Sequence, residues 1–267
     1  MELARSRRVA GAAVLAVAGV ATGAVIAQAN SHAPVARAAA NGGVSLRPDT
    51  VEHVAKKGRA GFVTIKNTTN GTLKMRVMVR PWLQNRFNGN VAPNYRANLT
   101  PYVKATKMKF RLRAHKSKRM SIRVRRTPPH GSLYAALEVF GKQVHKKARN
   151  GIIPQYRIVG RVRLNPKHRR PRARIGTANL VGRGKGRTLI LQVRNIGNTL
   201  DAVSGTANIT GPMTKTVNLT PATIVPGQTV FVKALNVSRM KRGFYHVQFN
   251  LTQGTRHYTA KRIFQLR

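Results

Sequence analysis

Lys57-Gly-Arg-Ala-Gly-Phe-Val-Thr-Ile-Lys-Asn67 returns further along the chain as Lys185-Gly-Arg-Thr-Leu-Ile-Leu-Gln-Val-Arg-Asn195. Both stretches open on Lys-Gly-Arg and close on an aliphatic residue, a basic residue and Asn, and a second Asn follows at Asn70 and Asn198. Later in each unit a Gly precedes an aromatic-bearing run, at Gly131-Ser-Leu-Tyr134 and at Gly243-Phe-Tyr245. Such spacing marks one structural plan used twice.

That plan is a β plan. Short runs alternate apolar with basic residues at Leu73–Val77, Lys107–Arg113, Met120–Arg125 and Arg161–Leu164, broken by Gly, Pro and Asn. Successive strand side chains point to opposite faces, so each run sends aliphatic groups inward and cations outward. No helical periodicity follows residue 40. The Asn- and Pro-rich stretch 84–101 reads as a long loop, with Trp82 expected in the core beside it and a surface role for Trp82 and Phe87 as the alternative.

The charge balance is extreme: 50 Lys and Arg against 5 Asp and Glu, a formal net charge of +45. By itself that suggests a nucleic-acid binder. The N-terminus argues otherwise. Arg5, Arg7 and Arg8 precede an uncharged run from Val9 to Ile26, and Ala27-Gln28-Ala29 then fits a signal-peptidase site, with Ala36-Arg37-Ala38 as a second candidate. An uncleaved membrane anchor is the alternative. Either reading exports the rest, and cleavage after Ala29 removes three Arg and one Glu, so +45 less 2 leaves +43.

Cysteine is absent, which excludes disulfides, a thiolate nucleophile and Cys-ligated metal, and fits a bacterial export product. Seven Asn-x-Ser/Thr sequons begin at Asn67, Asn70, Asn98, Asn208, Asn218, Asn236 and Asn250. They are read as Asn and Thr serving turns and strand ends. The segment Asn165-Pro-Lys-His-Arg-Arg-Pro-Arg172 reads as a short stiff linker whose cations Lys167, Arg169, Arg170 and Arg172 have no acid nearby.

Val44-Ser-Leu-Arg-Pro-Asp-Thr50, then Gly61–Asn70, Val77-Met-Val-Arg-Pro-Trp82, Phe110-Arg-Leu112 and Met120–Val124, resembles PapD-like domains. Val193-Arg-Asn-Ile-Gly-Asn198, Ile224-Val-Pro-Gly227 and Gly243-Phe-Tyr245 resemble bacterial extracellular Ig-like domains. The tandem is similar to exported surface proteins of the WxL-interacting type and to periplasmic pilus chaperones. The resemblance implies two immunoglobulin-like β-sandwiches, at 43–165 and 174–267, joined by 166–173 after an export segment at 1–40. Pilus chaperones hold a client carboxylate with a strand-A Arg and a strand-G Lys. Here Thr50 or Val51 stands at the first position, and Arg161 or Arg163 is a loose match to the second. Pro128-Pro-His-Gly131 replaces the chaperones' Pro-Asp-Arg-Glu region. The surface-protein branch ends in a membrane span, whereas this sequence ends at Phe264-Gln-Leu-Arg267, so anchorage is expected at the N-terminus or without covalent attachment.

No catalytic constellation is legible. After the export segment four acids remain, Asp49, Glu52, Glu138 and Asp201, and no pair is spaced for acid–base work. Glu138 sits in an apolar run and is expected outward or paired with a cation. The histidines lack metal spacing, no Gly-x-Ser-x-Gly occurs, and Gly182-Arg-Gly-Lys-Gly186 reads as a turn because a strand follows it. A non-enzymatic protein without cofactor or metal is expected.

The charge supplies the candidate site. Lys107, Lys109, Arg111 and Arg113 share one strand face, and Arg119, Arg123 and Arg125 are expected on the same face of the next strand. Cations about 5 Å apart would make one polyanion-binding patch. Three readings follow: an envelope module held on an anionic polymer or lipid headgroups, a chaperone-like scaffold receiving a partner strand at a sheet edge, and an extracellular nucleic-acid binder. Stacking aromatics are missing from the patch apart from inward Phe110, which lowers the third.

Overall fold

The computed structural model describes residues 43–128, 131–144 and 154–267. The export segment, His145 and its basic neighbours, and Pro129-His130 lie outside them. The first half contains β1 (Val44–Arg47), β2 (Thr50–Val54), β3 (Gly58–Asn67), β4 (Leu73–Gln84), β5 (Val91–Pro93), β6 (Val103–Ala105), β7 (Lys109–Leu112), β8 (Ser117–Val124), β9 (Leu133–Gln143) and β10 (Gln155–Asn165). The second contains β11 (Ala173–Val181), β12 (Thr188–Asn195), β13 (Ala202–Thr210), β14 (Lys215–Thr223), β15 (Thr229–Asn236), β16 (Gly243–Gln253) and β17 (Arg256–Leu266). Among the described residues no helix is long and apolar enough to cross a membrane.

Two β-sandwiches result. The first stacks a sheet ordered β1-β3-β8-β6 on one ordered β2-β10-β9-β4-β5, with β7 also on β4. The second stacks β11-β12-β15 on β14-β13-β16-β17. The repeated stretches occupy matching places: β3 lies between β1 and β8 as β12 lies between β11 and β15. Alternation builds each core. Along β4, Leu73, Met75, Val77 and Val79 are buried while Lys74 and Arg76 face out. Each buried aliphatic side chain contributes about 1.5–3 kcal/mol, and the two cores share no residue.

Asn67 and Asn195 explain why each repeated stretch ends on Asn. Both are fully buried. The Asn67 amide donates to the carbonyls of Gly71, Leu112 and Arg113, while its Oδ1 accepts from the Thr69 backbone and hydroxyl. Asn195 donates to the Thr199 and Ile224 carbonyls and accepts from Gly197 N–H. In both sandwiches one amide closes the turn after the strand and ties it to another segment. Losing it would strand several buried carbonyls, at about 1–3 kcal/mol each. Asn98 and Asn236 close the same kind of turn on Thr100 and Ser238, so three sequon asparagines serve turns.

The sandwiches meet through two devices. The β4–β5 hairpin reaches across: buried Gln84 donates to the Thr223 carbonyl and accepts from Val225 N–H, and Phe231 N–H donates to the Arg86 carbonyl. Phe87 packs on Phe231 with ring centroids 5.0 Å apart. The stretch 84–101 is therefore partly a hairpin, and Trp82, expected in the core, is only half-buried on it. The second device is the linker. Arg170 N–H donates to Asn198 Oδ1, Asn198 N–H donates to the Arg170 carbonyl, and Ile196 N–H donates to the Arg172 carbonyl. Gly197 is needed because a Cβ there would overlap the Arg170 carbonyl oxygen and the Arg172 nitrogen. Tyr134 completes the joint by donating to the Asn198 carbonyl at 3.2 Å.

Two outcomes follow. Gly197→Ala should lower stability by about 2–3 kcal/mol, read as a reduced urea midpoint; an unchanged midpoint would show that the linker is not held against this turn. Burial, reinforced by the Asp201 charge and opposed by Arg169, pushes the Tyr134 phenol up from 10.0 to about 12. A raised native pKa stabilises fully below the unfolded value, and that contribution is lost as pH climbs from 10 to 12, because the unfolded chain ionises first. Wild type should therefore lose midpoint across this window faster than Tyr134→Phe; parallel pH profiles would refute it.

Candidate functional site: an open strand edge

β10 is paired along its length with β9, from Gln155↔Lys142 to Leu164↔Leu133. Its other edge is only half used. β2 runs parallel to it from Thr50↔Arg161 to Val54↔Asn165, and Arg161 N–H donates to the Asp49 carbonyl at 2.7 Å. Backbone groups alternate between the two edges of a strand, so Gln155, Arg157 and Val159 present their N–H and C=O on the side of Arg161. Among the described residues none of these groups has a backbone partner. Three donors and three acceptors thus stand in a row, a template for a further strand.

The edge opens where the chain changes sheets. β1 pairs β3 in one sheet, and β2 pairs β10 in the other. Gly160 marks the crossing, since a Cβ there would stand 2.5 Å from Leu46 Cδ2 and 2.8 Å from the Asp49 carbonyl oxygen. Beyond it Tyr156 and Ile158 are half-buried against the core rim, and Gln155, Arg157 and Val159 are exposed. The matching gap in the second sandwich is bridged. There Arg262 Nε and Nη2 donate to the Gly176 carbonyl at 3.0 and 2.6 Å, and Ala173 N–H donates to the Tyr258 hydroxyl. No hydrogen bond crosses from β1 to β10 among the described residues.

Beside the open edge sits a buried ion cluster. Glu138 is fully buried on β9, opposite Val159. Arg157 donates to its Oε1 through Nε at 3.1 Å and Nη2 at 2.7 Å. Arg80 Nε lies 2.7 Å from Oε2, an ion pair not aligned as a hydrogen bond. Arg80 also donates to the Tyr95 carbonyl, and both guanidinium groups lie over the Tyr95 ring, at 5.4 and 5.1 Å. The expectation that Glu138 pairs with a cation holds, though two cations and a loop aromatic cover it. The cluster fixes Arg157, an edge residue. Its signal in the sequence was one acid inside an apolar run; Tyr95 carried none.

The predicted polyanion patch is not one surface. Lys109 and Arg111 lie on β7, which pairs β4, while Arg119 and Arg123 lie on β8, which pairs β3 and β6. Those are opposite sheets of the sandwich. The chain arches over between them through His115, which has φ 56° and whose Nε2 lies 3.0 Å from Asn70 Oδ1. All seven cations, Lys107, Lys109, Arg111, Arg113, Arg119, Arg123 and Arg125, are exposed as the alternation requires. The linker also departs from expectation: Arg169 is bonded to Asp201, so Lys167, Arg170 and Arg172 share the segment with a cation whose charge is spent. Thr50 is half-buried and Val51 belongs to the core, opposite Arg161 and Val162, and Arg163 lies 4.0 Å from Glu52. The chaperones' pair of cations is not reproduced there. Gly182–Gly186 is a turn with a 3-10 stretch, and no group of three His, Asp or Glu side chains among the described residues could hold a metal.

No family model and no curated protein sequence matches the chain. Solved structures do resemble it in chain path. A chain from the chaperone–tip adhesin complex of CFA/I fimbriae biogenesis is 12% identical over 82% of this chain and 98% of its own, with a TM-score of 0.45. The E. coli chaperone DraB is 13% identical over 85% and 96%, with a TM-score of 0.42. The PapD-like domain 7 of human CEP192 is 13% identical over 47% of this chain and 87% of its own, with a TM-score of 0.30.

Glu138→Gln should cost about 3–5 kcal/mol, because two guanidinium groups then share a site without their counter-charge. The checks are the urea midpoint and the tyrosine fluorescence of Tyr95. A midpoint within about 0.5 kcal/mol of wild type, the range of ordinary surface substitutions, would show that the cluster does not hold the edge.

Proposed function

We propose that this chain is an exported, non-enzymatic binding module that receives an extended partner segment by strand addition at β10, between Gln155 and Val159. The half-used edge carries the reading: β2 covers Arg161–Asn165 and stops, leaving aligned donors and acceptors beside a rim of half-buried Tyr156 and Ile158. A partner strand would complete the ladder through backbone hydrogen bonds and set alternate side chains against that rim. Its charge is expected to be acidic, since Arg161 stands exposed next to the open stretch on a chain of net charge +45. Export rests on the basic and apolar N-terminal segment. The resemblance of the sequence to PapD-like pilus chaperones is in keeping with a strand-receiving role. Anchorage on anionic envelope polymer or lipid headgroups is compatible with this role and belongs to other surfaces of the molecule.

Val159→Pro tests the edge. It removes one donor that faces the open side and leaves the bonds to β9 in place, a substitution edge strands tolerate. Wild type should retain a specific envelope protein at high salt, and the amides of Gln155, Arg157 and Val159 should slow in hydrogen exchange when that protein is bound. Val159→Pro should lose the retention with its urea midpoint nearly unchanged. Retention that survives the substitution, or that salt alone abolishes, would sink the proposal.

A further inference from the structure

The outward face of the β1-β3-β8-β6 sheet carries cations in an order that the strand pairing sets. Arg59, Arg123 and Lys104 stand side by side on β3, β8 and β6. Further along the same strands Arg47 and Arg119 flank Thr64, and Lys66 follows. Neighbouring strands lie about 5 Å apart and residues four apart on one strand about 13 Å, so two cationic rows cross the sheet. Phe62 and Ser121 fill the space between them.

Phe62 reaches that face through a bulge. The β3–β8 register shifts between Arg59 and Gly61, so Ala60 is buried while Arg59 and Phe62 both point out. Simple alternation would separate them. The Arg119 guanidinium sits 4.0 Å from the Phe62 ring centroid and Arg59 sits 4.9 Å from it. Among the described residues none of the six cations makes a hydrogen bond or ion pair through its side chain, and none of the four acids lies on a strand of this sheet. Three of those acids are paired with arginines elsewhere. The ring therefore holds two guanidinium groups in place while their N–H donors stay free.

We infer that this face binds a linear phosphate-rich polyanion without bases, laid across the two rows. Charge complementarity supplies the attraction through counterion release. The π surface of Phe62 is already engaged by arginines, so no aromatic platform is left to stack a nucleobase. Among the described residues the large exposed apolar side chains lie off this face, which offers no such group for insertion into a bilayer.

Inorganic polyphosphate of defined length, labelled and titrated with the purified chain over a salt series, is the test. Six engaged cations predict a slope of log K against log salt of about −4. Arg59→Gln/Arg119→Gln/Arg123→Gln should weaken binding 10- to 100-fold and flatten the slope by about 2. Lys109→Gln/Arg111→Gln/Arg113→Gln removes equal charge from the other sheet and should change affinity less than threefold. Phe62→Leu, which keeps every charge, should weaken binding by about two- to fivefold through the lost ring contacts, and its urea midpoint reports whether the sheet stays folded. Equal losses in the two triple variants would overturn the inference in favour of net charge alone. Tighter binding of single-stranded poly(dT) or of anionic vesicles, with the same residue dependence, would overturn the choice of occupant.

Discussion

The sheet change between Arg47 and Thr50 governs the first sandwich. Because β1 joins β3 and β2 joins β10, one short N-terminal segment edges both sheets and can complete neither. Gly160 admits the crossing, and among the described residues the ladder groups over the first half of β10 meet no backbone partner on that edge. A strand edge in that state invites either aggregation or a partner. In the second sandwich Arg262 and Tyr258 reach across to β11 and bridge the equivalent gap. The difference between two otherwise matching units is what turns one edge into a candidate site.

Charge is handled by the same economy. Cations outnumber acids ten to one, and three of the four described acids are paired with arginines. Glu138 is shared by Arg80 and Arg157 under Tyr95, Glu52 lies beside Arg163, and Asp201 holds Arg169 at the junction. Most other cations among the described residues face water and repel one another at distances that salt screens. On the β1-β3-β8-β6 face even that relief is local, since an aromatic ring replaces an acid as the partner of two arginines.

Much of this was readable without coordinates, and the limits have a common cause. Alternation placed strands at Leu73–Val77, Met120–Val124 and Arg161–Leu164, because burial of every second side chain is a local property. The repeat from Lys57 and Lys185 marked matching strands, and its terminal Asn proved to be the buried tie that closes each turn. Pairing was not local. Lys107–Arg113 and Met120–Arg125 are consecutive, yet the arch at His115 carries them to opposite sheets, where a hairpin of similar length would have joined them. The Arg169–Asp201 pair and the reach of Gln84 into the second sandwich leave no local signal either, as each joins residues far apart in sequence.

By itself, then, the sequence determined strand identity, the doubling of one β plan, the outward set of the cations and the absence of a legible catalytic group. Those follow from side-chain chemistry and a period of two. Tertiary structure alone decided which cations become neighbours, which acids are spent and which edge stays open. Each depends on strand order and register: the bulge at Ala60–Gly61 breaks the alternation of β3 and turns Phe62 to the face of Arg59, and the arch at His115 carries consecutive strands to opposite sheets.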